Sequence, residues 1–155
     1  MIKGMVLVAA AAVACVAHGA GIEVQDIRLG MTRHEFARAH PAGIGGGISV
    51  GGARSREGFG PPAVQFIDGR LEQFAAYFAA QDFERIRRAV LAQNRAVQCR
   101  ADAQVSVCYD AEGSFVLTRS GRTTMLLLQS QRMAAEAEQA VSDLQPKGEL
   151  RARFD

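Results

Sequence analysis

"QVSVCYDAEGSFVLTRSGRTTMLLLQS", residues 104–130, sets the architecture of this chain. Three runs, 104–110, 114–120 and 122–130, are rich in β-branched and aromatic residues, and Glu112-Gly113 and Ser120-Gly121 divide them. Short β-prone runs separated by glycine turns read as three consecutive antiparallel strands. A fourth strand is expected just before them, at 97–100, which sets Cys99 on the neighbour of the Cys108 strand. A disulfide needs its two Cα atoms that close.

Upstream lies "PPAVQFIDGRLEQFAAYFA", 61–79, in which Asp68-Gly69 separates two apolar arms. An Asp-Gly pair between β-prone arms is a two-residue hairpin signal. Simple alternation in the second arm puts Phe74 and Phe78 on one face and Leu71 and Tyr77 on the other. Both faces are then partly apolar, as suits a central strand with something packed over it. "DFERIRRAVLAQNR", 82–95, reads as a helix with Asp82 as N-cap. Phe83, Ile86 and Val90 recur on its core side, and its arginines keep to a solvated face. "QRMAAEAEQAVSDLQP", 131–146, reads as a closing helix that buries Met133, Ala137, Ala140, Val141 and Leu144 and stops at Pro146.

The first helix opens in "LGMTRHEFARAHP", 29–41. Thr32 and Glu35 form the T-x-x-E capping box, Met31 and Phe36 occupy the two staple positions, and Gly30 gives a tight approach from the extended "IEVQDIRL". Pro41 biases His40 to an extended backbone and ends the helix. Every conspicuous residue of this stretch has a structural task. Between Pro41 and the hairpin, residues 43–60 carry eight glycines. A phosphate cradle fails on spacing, because no G-K-[ST] follows and Ile48 stands where G-x-G-x-x-G needs its last glycine. A surface loop with one short strand at "GISV" is expected, and it is kept as a contact surface.

The N-terminus predicts export. Lys3, an apolar run over 5–17 and the small-x-small triplet Ala17-His18-Gly19 have the layout of a signal peptide occupying 1–19. A competing reading cuts before Cys15 and attaches lipid there, although Ala12 holds the position where a lipoprotein leader carries leucine. Either way, two of the three cysteines remain, and in an oxidising compartment Cys99 and Cys108 should pair. Eight intervening residues match neither a C-x-x-C redox motif nor a zinc-knuckle spacing. The expected organisation is one α+β domain over 22–145, a single antiparallel sheet of meander plus hairpin with helices packed on one face. A disordered tail is expected over 146–155.

Chemistry is poorly represented. Lys and Arg number 18 against 16 Asp and Glu, and they are scattered, which argues against nucleic acid. His34 and His40 do not share a helix face, and Arg38 stands where H-E-x-x-H needs its second ligand. No G-x-S-x-G occurs. No catalytic residue, cofactor or metal ligand is therefore assigned, and the chain is read as a non-enzyme.

"IRLGMTRHEFARAHP", 27–41, resembles the G-M-T-x-x-E-V helix start of the SmpA/OmlA lipoproteins, accessory subunits of the outer-membrane β-barrel assembly machine. It also resembles the β-lactamase-inhibitor-protein fold and a broad set of exported proteins of that layout. Asp68-Gly69, Asp82-Phe83 and Glu112-Gly113-Ser114 follow in the same order. Phe36 replaces the usual valine, and the glycine-rich insertion is long. The resemblance implies this fold, an envelope location and a protein partner there, with Gly30, Met31, Thr32, Glu35 and Phe36 as structural residues. The resulting expectation is a periplasmic protein that binds or scaffolds another protein, touching a membrane only through a lipid at Cys15. The alternative is a small periplasmic enzyme or ligand binder using loop 43–60 with His34 or Arg54.

Overall fold

A computed structural model describes residues 21–43, 47–56 and 63–144. The leader expected over 1–19, with Cys15, and the tail expected over 146–155 lie outside the described residues. Elements run β1 (Glu23–Val24), β2 (Ile27–Arg28), α1 (Arg33–Ala39), β3 (Ser49–Val50), β4 (Ala53–Arg54), β5 (Ala63–Ile67) and β6 (Arg70–Ala79). A 3-10 turn at Ala80–Asp82 leads into α2 (Phe83–Gln93). Then come β7 (Gln98–Ala101), β8 (Val105–Tyr109), β9 (Gly113–Ser120), β10 (Thr123–Ser130) and α3 (Gln131–Leu144).

The fold is α+β, with a six-stranded antiparallel sheet in the order β5-β6-β10-β9-β8-β7. The predicted meander and hairpin are both present. Asp68 and Gly69 both have positive φ, the twist that a two-residue hairpin needs to match its strands. Chain order and sheet order part after β6. α2 spans the sheet there and delivers the chain to β7 at the far edge, so β10 can return beside β6.

Several expectations need correction. The sheet is not single: β1-β2 and β3-β4 form separate two-stranded ribbons. Their apolar residues, among them Ile22, Val24, Ile27, Val50 and Ala53, join the same core as the main sheet. The second ribbon folds within the glycine-rich stretch, where Gly51 and Gly52, both at positive φ, turn Val50 back onto Ala53. Gly51 also lies against Ala89 and the Arg85 carbonyl of α2, leaving no space for a β-carbon. Residues 48–54 of that stretch are thus packed structure.

The second correction concerns α3. Its stripe was expected in the core, yet Ala137, Ala140 and Val141 are exposed, and only Met133 and Ala134 of the first turn are half-buried. α1 and α2 do share one face of the sheet. Phe36 of α1 meets Phe66 of β5 edge to face, and Phe83, Ile86 and Val90 of α2 are fully covered. That inner face is closed: Phe74, Ala76 and Phe78 on β6, Leu126 and Leu128 on β10 and Phe115 and Leu117 on β9 have no exposure.

Leu71 departs from simple alternation. It pairs with Phe66 and is buried on the inner face, where Phe74 also points. The register shift between Gln65 and Phe66 leaves Glu72 as an extra residue on β6, and a bulge of this kind resets the two-residue period. Asp82 also departs from expectation. It lies in αR conformation inside the 3-10 turn, makes no side-chain cap, and its carboxylate stands 3.8 Å from Arg85.

Candidate functional site

The capping box of the helix start forms as its sequence specifies, whereas the tight approach expected at Gly30 does not occur: no neighbour lies near its β-carbon position, and positive φ is what calls for glycine there. Thr32 Oγ1 accepts from the Glu35 N–H at 3.2 Å, and Glu35 Oε2 accepts from the Thr32 N–H at 2.7 Å. The remaining Glu35 oxygen receives Arg28 at 3.2 Å. The Thr32 N–H, then the Thr32 side chain, hold the Glu35 carboxyl below its ordinary range. Met31 and Phe36 are both buried in the common core. Gly30, at φ +75°, lets the chain reverse and pair with β6, donating to Leu71 O at 2.8 Å while Leu71 donates to Met31 O at 2.9 Å.

Beside this segment opens a cleft of about 550 Å³ whose lining includes Arg28, Glu35, Arg70, Glu112 and Arg132. The arginines alternate with carboxylates, and each already has a partner. Arg28 holds Glu35, Arg70 donates to Gly30 O at 3.0 Å, and Arg132 sits 3.2 Å from Glu136. The lining contains no histidine or cysteine. Its hydroxyl, Ser130, accepts from the Met133 N–H and so caps α3. Nothing here pairs a nucleophile with a base, the arrangement that covalent catalysis requires.

The residues of the small-ligand alternative do not gather at this cleft. His34 is exposed in the first turn of α1, and Arg54 is exposed on β4. His40 is the C-cap of α1 and stacks 5.1 Å from Phe36. Cys99 and Cys108 stand opposite one another on β7 and β8, with Cα atoms 4.1 Å apart, and are disulfide-bonded. The bond fastens the sheet's edge strand to its neighbour.

Sequence reasoning missed the polar anchors of the first ribbon, among them Gln93, which accepts from the Gln25 N–H at 2.9 Å and donates to Gln25 O at 2.7 Å. Asp110, at the β8–β9 turn, accepts from the N–H groups of Glu112 and Gly113 through Oδ1 and from that of Ile22 through Oδ2. Asn94, buried at the C-cap of α2, accepts from the Glu23 N–H at 2.9 Å and donates to Glu23 O at 2.7 Å. Together they tie the first ribbon to α2 and to the meander. Asp110 carried a readable signal in its turn-forming position before Glu112-Gly113. Asn94 carried none, since its partner is 71 residues away.

Among the described residues, the sheet's outer face is a further surface without an assigned role. Residues of β8, β9 and β10 alternate between fully buried and half-exposed. The half-exposed set is apolar at its centre: Leu127 pairs with Val116, Val116 with Val107, and Met125 with Tyr77. From β10 to β8 the outward positions hold no charged residue, and Gln129, Thr123, Ser114, Thr118 and Ser120 are polar; Gln73 and the half-exposed Glu72 on β6 and the exposed Arg100 on β7, opposite Val107, border them. At one end α3 leaves the sheet. Between Gln129 and α3 residues Ala134, Ala137, Glu138 and Val141 lies a shallow groove of about 440 Å³. The apolar run Met125–Leu128 was the sequence signal for this face, since four consecutive apolar residues in a strand place two on each side.

No helix among the described residues is long and apolar enough to cross a membrane. No protein family, curated protein or solved structure matches the chain.

Proposed function

We propose that this chain is an exported protein of the bacterial envelope that acts through non-catalytic protein contacts, as an accessory subunit or an inhibitor-like protein. The observation that carries the reading is the outer face of the six-stranded sheet, where Tyr77, Met125, Leu127, Val116 and Val107 are half-exposed while their inward neighbours are fully covered. A continuous apolar surface of this extent marks a contact site. A sheet face whose central strands β10, β9 and β8 present no charge suits a protein partner, whereas a small ligand needs an enclosed pocket with convergent polar groups. An architecture like that of the SmpA/OmlA and β-lactamase-inhibitor families agrees with the order of helix start, hairpin, α2 and meander. The leader-like residues 1–19 and the Cys99–Cys108 bond, of a kind that persists in an oxidising compartment, support a periplasmic location. Membrane attachment, if the leader is cut before Cys15, is removed by Cys15→Ser without loss of export.

The test is site-specific photocrosslinking in the intact envelope. A photoreactive side chain at Val107 or Leu127 should trap a protein, and the same group at Arg88, on the solvated side of α2, should not. Equal trapping at all three positions, or none at the outer face, overturns the reading.

A further inference from the structure

We infer that the outer face is occupied by a second copy of this chain, with the α3 helices of the two copies lying side by side, each in the groove beside the other. The inference rests on the protein-contact reading of that face and names its partner.

The argument begins with α3 itself. A helix of 14 residues is only marginally stable alone in water and normally owes its stability to a packed apolar side. α3 is amphipathic, with Met133, Ala134, Ala137, Ala140 and Val141 set against Arg132, Glu136 and Glu138. Among the described residues, its own chain covers the first turn only. From Ala135 to Ser142 every residue is exposed, and Val141 retains 59 % of its surface. The helix therefore presents an apolar stripe without the complement that would hold it.

This chain carries that complement. Ala134, Ala137, Glu138 and Val141 border the groove against Gln129, which shares its face of β10 with Leu127 and Met125. Small side chains at spacings of three and four let a second helix approach closely, as interdigitating helix packing requires. Two-fold symmetry brings like surface onto like, so a charged face would repel its copy. The outward positions of β10, β9 and β8 are uncharged and impose no such repulsion, and Glu138, which also lines the groove, must be set away from its own copy. Four strands about 4.8 Å apart, each with about seven residues rising about 3.3 Å, present on the order of 450 Å². Three turns of α3 rising about 1.5 Å per residue add on the order of 150 Å². The two copies together then bury about 1,200 Å², the lower end of the range for specific interfaces. A dimer with micromolar dissociation is the expected form.

Sedimentation equilibrium of the mature, disulfide-intact protein across the micromolar range decides the matter. Dimer is expected, and Val141→Glu and Ala137→Glu should each weaken it by at least about tenfold, as for a central interface residue. Both positions are exposed, so at concentrations where parent and variants are all monomeric their circular dichroism spectra and thermal midpoints should match, and only the parent's midpoint should rise with concentration. A photoreactive residue at position 141 should crosslink to a second copy at α3 or at Tyr77, Met125 or Leu127. A monomer at all concentrations overturns the inference, as does a dimer that both variants leave intact. Should the monomer still trap a different envelope protein at Val107, the contact reading of the face stands and the self-association fails.

Discussion

Gly113 and Leu29 pack so tightly that no β-carbon fits between them. A side chain at position 113 would meet the Leu29 methyl, the Gln129 carbonyl oxygen and the Ser130 Cα at once. Gly113 is the first residue of β9 and is fully buried, without positive φ. Its smallness therefore serves packing between the first ribbon, β9 and β10, although its sequence context marks it as a turn glycine. Gly113→Ala is expected to cost about 1–3 kcal/mol, the range for overpacking a rigid site. Gly30→Ala meets no neighbour and is penalised only for its positive φ, by about 1 kcal/mol. Urea unfolding of the two variants should rank them in that order.

The Cys99–Cys108 bond closes a loop of sequence separation 9, for which chain entropy in the unfolded state gives about 2.5 kcal/mol. The double variant Cys99→Ala/Cys108→Ala should lose stability of that order while keeping its fold, since the core strands β6, β10 and β9 do not depend on the bond. Local loss should centre on β7, which has one neighbour and mostly exposed side chains. Hydrogen exchange at 98–101 is therefore expected to rise before exchange in β9 or β10. Uniform protection across the sheet after removal of the bond would count against this account.

What the sequence exposes and what it conceals divide along a physical line. Local rules were readable: the Thr32–Glu35 box, the Asp68-Gly69 turn, the Phe83/Ile86/Val90 stripe and the three-strand meander all depend on neighbours a few residues apart. Leu71 escaped because a bulge at Glu72 shifts the period, and no pattern of polarity announces an extra residue. The β3-β4 ribbon escaped because its Gly51-Gly52 turn is embedded among other glycines that do not share its role. α3 misled for a different reason. An apolar stripe predicts that something covers it, and cannot say whether that cover belongs to the same chain. The outer face was legible in composition through Met125–Leu128, yet its openness emerges only once both core-side helices are seen on the opposite face.

Acid should weaken the helix start in a defined way. The folded-state pKa of Glu35 lies below its unfolded value because the carboxylate accepts the Thr32 N–H. Its contribution is present above the unfolded value and is lost as pH falls through the folded one. Glu35→Gln retains an acceptor for the Thr32 N–H but has no proton to gain. Its stability should therefore fall less steeply than that of the parent between pH 6 and pH 3, on unfolding curves measured at about five pH values. Thr32→Ala, which removes the cap itself, should cost about 1 kcal/mol at neutral pH.

Asn94 is the residue whose loss should separate the first ribbon from the rest. Its amide holds both backbone groups of Glu23 and also donates to Val90 O at 2.8 Å, so one side chain serves β1 and the end of α2 together. Asn94→Ala leaves the N–H and carbonyl of Glu23 without these partners in a part-buried setting. Unmade hydrogen bonds of that kind cost about 1–3 kcal/mol. Asn94→Asp preserves the acceptor for the Glu23 N–H but sets a carboxylate against two carbonyl oxygens, so it should be no better than alanine. Hydrogen exchange at 22–28 should accelerate in both variants, with α2 affected mainly at its last turn and the centre of β10 unchanged. If exchange instead rises equally throughout the sheet, the ribbon is an inseparable part of the core and Asn94 is not its tether.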